Sequence, residues 1–148
     1  MSKPSIAVAI VDTDLHVLAR QALLHSMRLM EQQGLPFSQV LIYSDKPELW
    51  PGLPVIPVPT LRSITEYNQL ITRTLAEHLS ADHVLVIQYD GFVLNADQFS
   101  PHFLHYDYIG APWPNYPDNE VGNGGFSWRS RRLVHAVAQL DYPDPTEA

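Results

Sequence analysis

The chain has no cysteine among its 148 residues. That excludes disulfides, a thiolate nucleophile and any zinc site built on cysteine. Basic residues are scarce too: nine Lys and Arg stand against sixteen Asp and Glu, for a net charge of −7. Holding a phosphate backbone needs clustered cations, so no nucleic-acid partner is expected. The one basic cluster is Arg129, Arg131 and Arg132. No apolar run approaches membrane-spanning length, and "MSKPSIAVAIVDTD" meets an acid too early for a secretory signal. The expectation is a cytoplasmic protein without a membrane span. Glycine is sparse, with seven in all, yet Gly122, Gly124 and Gly125 fall within four positions. Glycine is costly to order, so the cluster marks either a turn closed to other residues or a backbone that something approaches closely.

What is present suits one domain over residues 1–148, with 45% hydrophobic residues and thirteen prolines that point to rigid loops. "SIAVAIVD" (5–12) is a continuous β-friendly run ending in an acid, as in a strand buried on both faces. Leu15, Leu18, Ala19, Ala22, Leu23, Met27 and Met30 then recur at helical spacing until Gly34. "QVLIYSD" (39–45) repeats the strand pattern, and "PVIPVP" (54–59) suits only a short edge strand. Ser63 and Glu66 form a capping-box pattern, predicting a helix through Tyr67, Leu70, Ile71, Leu75 and Leu79. "HVLVIQYDG" (83–91) is the clearest buried strand. "YDYIGAPW" (106–113) reads as another strand, and Ser127 to Leu140 reads as a helix. Strands alternating with helices predict an α/β domain with a mainly parallel central sheet, whose ligand lies at the carboxyl ends of the strands. Asp12, Asp45 and Asp90 each end a strand and would face that crevice.

Asp90, followed by Gly91, can offer oxygens to a hard cation, although Asp-Gly after a strand is also a common turn. Asp12 and Asp14 have the spacing of the paired acids in aspartyl-phosphate hydrolases, which would make Asp12 a nucleophile and Asp14 a proton donor. Asp14 equally suits the N-cap of the first helix, the reading favoured here. The glycine cluster has a plain reading as a tight loop before a helix capped by Ser127. Its functional reading is room for a sugar or phosphate beside backbone N–H groups and a helix N-terminus. Trp113 and Trp128 would stack on a sugar or pack in the core. The seven histidines show no metal-ligand spacing.

Together, Tyr67-Asn68, "HVLVIQYDGFVL" (83–94), "YDYIGAPW" (106–113) and "VGNGGFSWRSR" (121–131) resemble a bacterial and fungal glycosyltransferase-like family of unknown function. That family is similar to GT-A nucleotide-sugar transferases. The resemblance implies a GT-A-like, Rossmann-like three-layer sandwich, a nucleotide-diphosphate sugar as donor, an acceptor of unknown identity and a divalent cation, Mn²⁺ or Mg²⁺. It places Asp90 as the metal ligand, with Gln88 standing where such enzymes carry their first acid. Asp12 and Thr13 would lie near the base and ribose. Gly122, Asn123, Gly124, Gly125, Phe126 and Ser127 would border the donor sugar. Glu147 is the only acid offered as catalytic base. The resemblance also implies a longer catalytic domain, so the chain is expected to be short at its C-terminus and to self-associate where the absent half would dock. The alternatives are a non-catalytic nucleotide-sugar-binding module and a phosphohydrolase using Asp12 and Asp14.

Overall fold

The computed structural model describes residues 4–112, 114, 115, 117, 118 and 123–140. β1 (Ile6–Val11) is buried along its whole length, as its unbroken apolar run requires. Asp12 then turns the chain by accepting the Asp14 N–H on Oδ1 at 2.9 Å. α1 (His16–Gln32) follows, with Leu15 at its N-cap and no side-chain capping bond. The expected cap by Asp14 is therefore corrected: Asp12 shapes this turn and Asp14 is exposed. At the other end Gly34, at φ 72°, lets the N–H of Leu35 donate to Met30 and its own N–H donate to Glu31. This pair of bonds closes the last turn of a helix that a left-handed glycine stops.

β2 (Gln39–Ser44) and β3 (Val55–Pro57) come next. Ser63 caps α2 (Ile64–Gln69) by accepting the Glu66 N–H at 3.2 Å. The Glu66 carboxylate reaches back one residue further than the usual box, accepting the Arg62 N–H at 2.6 Å. α2 passes through a π-helical turn (Leu70–Thr74) into α3 (Leu75–His78). Within that turn the Thr72 hydroxyl donates to the Asn68 carbonyl at 2.7 Å, competing for the acceptor that an α-helix gives to a backbone N–H. β4 (His83–Ile87) is fully buried. The helical elements on the way to β5 (Tyr108–Ala111) are two short 3₁₀ turns, and β6 (Asn123–Ser130) leads directly into α4 (Arg131–Ala138). The helix expected from Ser127 thus begins four residues later, and Ser130 caps it by accepting the Leu133 N–H at 3.0 Å.

The strands form one sheet in the order β3-β2-β1-β4-β6-β5. β3, β2, β1 and β4 pair in parallel, whereas β6 runs antiparallel to both β4 and β5. The sheet is therefore mixed, and the expectation of a mainly parallel sheet is corrected. A parallel return from β4 would need a crossover of a dozen residues or more, usually a helix. No α-helix lies between β4 and β5 among the described residues. Helices cover both faces. Ile6, Val8 and Ile10 of β1 pack with Ala19, Leu23 and Met30 of α1. Ala7, Ala9 and Val11 pack with Ile71, Leu75 and Val134 on the other face.

Candidate functional site

β1 and β4 are adjacent and in parallel register, with Ile10 opposite Ile87. Their connections diverge: β1 continues through α1 to β2, while β4 is reached from β3 through α2 and α3 on the opposite face. The strand order reverses between β1 and β4, and α/β sheets bind ligands outside the carboxyl ends at such a reversal. Asp12 and Thr13 leave the sheet on one side of it. Thr13 Oγ1 accepts the Leu61 N–H at 3.0 Å, which ties the loop after β3 to the end of β1. On the other side, Gln88 N–H donates to Gly91 O at 2.8 Å and Gly91 N–H donates to Gln88 O at 3.2 Å. This tight turn puts Tyr89 and Asp90 at its exposed tip.

The third acid expected in the crevice is committed elsewhere. Asp45 Oδ2 accepts the Thr60 hydroxyl at 2.6 Å, and Oδ1 lies 3.2 Å from Nε2 of the buried His16, a contact not aligned as a hydrogen bond. Asp12 is half-buried, and burial above all holds its carboxyl above the ordinary 3.8. A phosphate-transferring nucleophile needs an ionised, free carboxylate. Asp12 Oδ1 is turned onto its own backbone, accepting the Asp14 N–H, so the phosphohydrolase reading gains no support.

The glycines explain themselves through their neighbours. β6 bulges: Ser127 pairs with Gly110, while Asn123 pairs with the very next residue, Ala111. Gly124, Gly125 and Phe126 loop out between them, and the Ser127 hydroxyl donates to Gly124 O at 3.0 Å across the loop. A Cβ on Gly125 would stand 2.7 Å from Gln88 Oε1, and one on Gly124 would stand 2.6 Å from Arg129 Nη2. A Cβ on Gly91 would meet that of Phe126 at 3.1 Å. These glycines therefore make room for the protein's own Gln88 and Arg129, and through them the bulge is held against the turn that carries Asp90. No helix N-terminus backs the loop, because α4 starts at the far end of β6. Gly122 and Glu147 lie outside the described residues, as does Trp113, and Asn123 is described in its backbone alone. Trp128 belongs to the core, stacked on His83 at 4.8 Å with its Nε1–H donated to Phe103 O at 2.9 Å.

Reading 127–130 as helical concealed a residue of the site. In a strand, Ser127 and Arg129 share a face, the face on which Gln88 leaves β4. Arg129 Nε donates to Ser127 Oγ at 3.1 Å, and its guanidinium carbon sits 5.4 Å from the Tyr108 ring centre. It has no carboxylate partner among the described residues, unlike Arg131 and Arg132, which pair with Asp82 and Asp107. Burial pulls the Arg129 pKa below its usual value, against the opposing pull of Tyr108 and Tyr67. The hydroxyls of Tyr67 and Tyr108 are both buried; that of Tyr108 has no hydrogen-bond partner among the described residues, while that of Tyr67 lies beside the Gln88 side chain. Burial foremost raises the Tyr67 pKa; Gln88 and Arg129 pull it down, and Asp90 pushes it up. The Tyr108–Arg129 pair is opposite in the β5–β6 register. Alternation in "SWRS" is the signal that would have found it.

A cavity of about 400 Å³ at the other end of β4 is lined by Asp82, His83, Asp107, Arg131, Arg132 and His135 among others. It lies away from the carboxyl ends of β1 and β4, and its two arginines are already paired.

A family profile described as "Protein of unknown function (DUF5672)" matches residues 53–145. The chain belongs to this DUF5672 family. The matched segment contains Tyr67, Gln88, Asp90, Tyr108, Gly124, Gly125 and Arg129, whereas Asp12 and Thr13 precede it. Among solved structures, the chain is similar to bifunctional IspDF from Campylobacter jejuni, with a TM-score of 0.54 at 11% identity over 98% of this chain and 46% of that one. The chain thus spans less than half of the IspDF length, and the likeness is one of α/β fold. It also resembles Rv0371c from Mycobacterium tuberculosis H37Rv, with a TM-score of 0.47 at 14% identity over 95% of this chain and 78% of that one. No curated protein matches. No helix among the described residues is long and apolar enough to cross a membrane.

Proposed function

We propose that the chain is a GT-A-type nucleotide-diphosphate-sugar-binding domain of a glycosyltransferase, with the donor laid across the carboxyl ends of β1 and β4. One observation carries this reading: the strand order reverses between these parallel neighbours, and Asp12-Thr13 and the Gln88–Gly91 turn follow their carboxyl ends, where α/β sheets bind ligands. The nucleoside would lie toward Asp12 and Thr13, whose O–H remains free to donate, and the diphosphate toward Asp90. Among the described residues no three His, Asp or Glu side chains gather. A Mn²⁺ or Mg²⁺ ion at Asp90 would therefore rest on one carboxylate, with donor and water oxygens completing its shell, a division that suits Mg²⁺ in particular. Bound there, the cation would supply charge neutralisation for the leaving diphosphate. Gln88, held over Gly125, would offer its amide to a sugar or ribose hydroxyl.

On this reading the described residues would serve the donor, and deprotonating an acceptor would fall to Glu147. A non-catalytic binding module is the second reading for that reason. Calorimetric titration with UDP, GDP and their sugar conjugates, with and without Mn²⁺, tests the proposal. Binding should tighten at least about tenfold with the metal and lose that gain in Asp90→Ala. Equal affinity of wild type and variant would refute the site. Binding without transfer to any acceptor would select the second reading.

A further inference from the structure

We propose that Arg129, backed by the hydroxyls of Tyr67 and Tyr108, forms an oxyanion site that takes a phosphoryl group without help from a metal. A guanidinium carries five N–H donors and cannot shed its charge in a protein. Arg129 uses one of them, Nε to Ser127, and the described residues offer it no carboxylate. Taking such a charge out of water is costly unless an anion balances it. The buried Tyr108 hydroxyl, without a partner among the described residues, adds to the same deficit and leaves a donor unused where an acceptor would be expected. A single group with several acceptor oxygens and negative charge corrects both at once, and the Tyr67 hydroxyl beside Gln88 is near enough to join.

The placement is deliberate in the sequence. Gly124 leaves the space that the Arg129 head occupies, and Tyr108 Oη lies 3.8 Å from the same point. Tyr67, on α2, is close enough to feel the charges of both Arg129 and Asp90. Arg129 is mostly buried but keeps part of its surface open to solvent, so a ligand can reach it. The planar fork of arginine matches two phosphoryl oxygens.

The test is titration of the full-length chain with inorganic phosphate and pyrophosphate in EDTA, read by calorimetry and thermal midpoint, with acetate and citrate as carboxylate arms. Pyrophosphate should bind and raise the midpoint. Arg129→Gln should weaken it at least about tenfold, and Tyr67→Phe and Tyr108→Phe about two- to fivefold each. The two Phe variants remove only an oxygen, so they report on binding even if Arg129→Gln disturbs the fold. No pyrophosphate binding in EDTA, unchanged affinity in all three variants, or tighter binding of the carboxylates would each overturn the proposal. The use of EDTA separates this outcome from the metal-dependent binding assigned to Asp90, so either can fail alone.

Discussion

If Gly124 is glycine because Arg129 lies over it, the two positions must be energetically coupled. A Cβ at 124 would stand 2.6 Å from Arg129 Nη2, where ordinary contact begins at 3.4 Å. In Gly124→Ala the guanidinium must withdraw by most of an ångström. It would weaken its bond to Ser127 and its stacking on Tyr108, worth roughly 0.5–1 kcal/mol each. Against this, alanine restricts the unfolded chain and returns about 0.4–1 kcal/mol, since φ at 124 is not in the left-handed region. The net expectation is a destabilisation of about 0.5 kcal/mol in the wild-type background. With Arg129→Ala already present the clash vanishes, and Gly124→Ala should stabilise by about 0.5 kcal/mol, giving a coupling of about 1 kcal/mol. Urea unfolding of the four proteins in the cycle measures it, and the matching midpoint difference is about 2–4 °C. A Gly124→Ala cost that is the same in both backgrounds would refute the argument. The glycine would then serve the backbone or a ligand, as the sequence alone suggested.

Two further perturbations address the frame around the site. Ser130→Ala should cost about 1 kcal/mol, because Ser130 Oγ caps α4 through the Leu133 N–H and also donates to Asp107 Oδ1 at 2.6 Å; thermal unfolding checks this, and an unchanged midpoint would contradict it. Asp12 holds its proton more tightly in the fold than in the unfolded chain. Its contribution is therefore full below pH 3.8 and is lost as pH rises through the folded pKa. Asp12→Asn keeps the oxygen that accepts the Asp14 N–H, so at pH 7 it should gain no more than about 0.5 kcal/mol after solvent screening. That gain should disappear on titration below pH 4, and a gain that grows on acidification would reverse the assignment.

Much of the frame was legible in the sequence because local and tertiary signals agreed. β1, β2 and β4 are buried on both faces, so their apolar runs had no competing helical period. β3 kept its place at the sheet edge, as its prolines require. Ser63 capped the helix that it announced. The misread elements are those in which one residue type serves two purposes. Asp14 sat where a cap belongs, yet the carboxylate of Asp12 took the turn. "SWRS" mixes a core tryptophan with a polar face, so its two-residue period passed for the start of the helix that follows. The direction of β6 was written in an absence, namely the lack of any helical pattern between Gly91 and Tyr106. Gln88, Asp90 and the glycines could be picked out as special from the sequence. Their reason could not, because the atoms that fill the glycine gaps come from Gln88, on another strand, and from Arg129, brought back by a bulge.

The π-helical turn at Leu70–Thr74 acts as a phase adjustment. A regular α-helix advances about 100° per residue, so the face that buries Ile71 and Leu75 would also dictate where Tyr67 points. Widening one turn breaks that dependence. The downstream half can answer to the hydrophobic core while the upstream half is aimed independently at Gln88 and Arg129, and the two requirements can drift apart without either dragging the other.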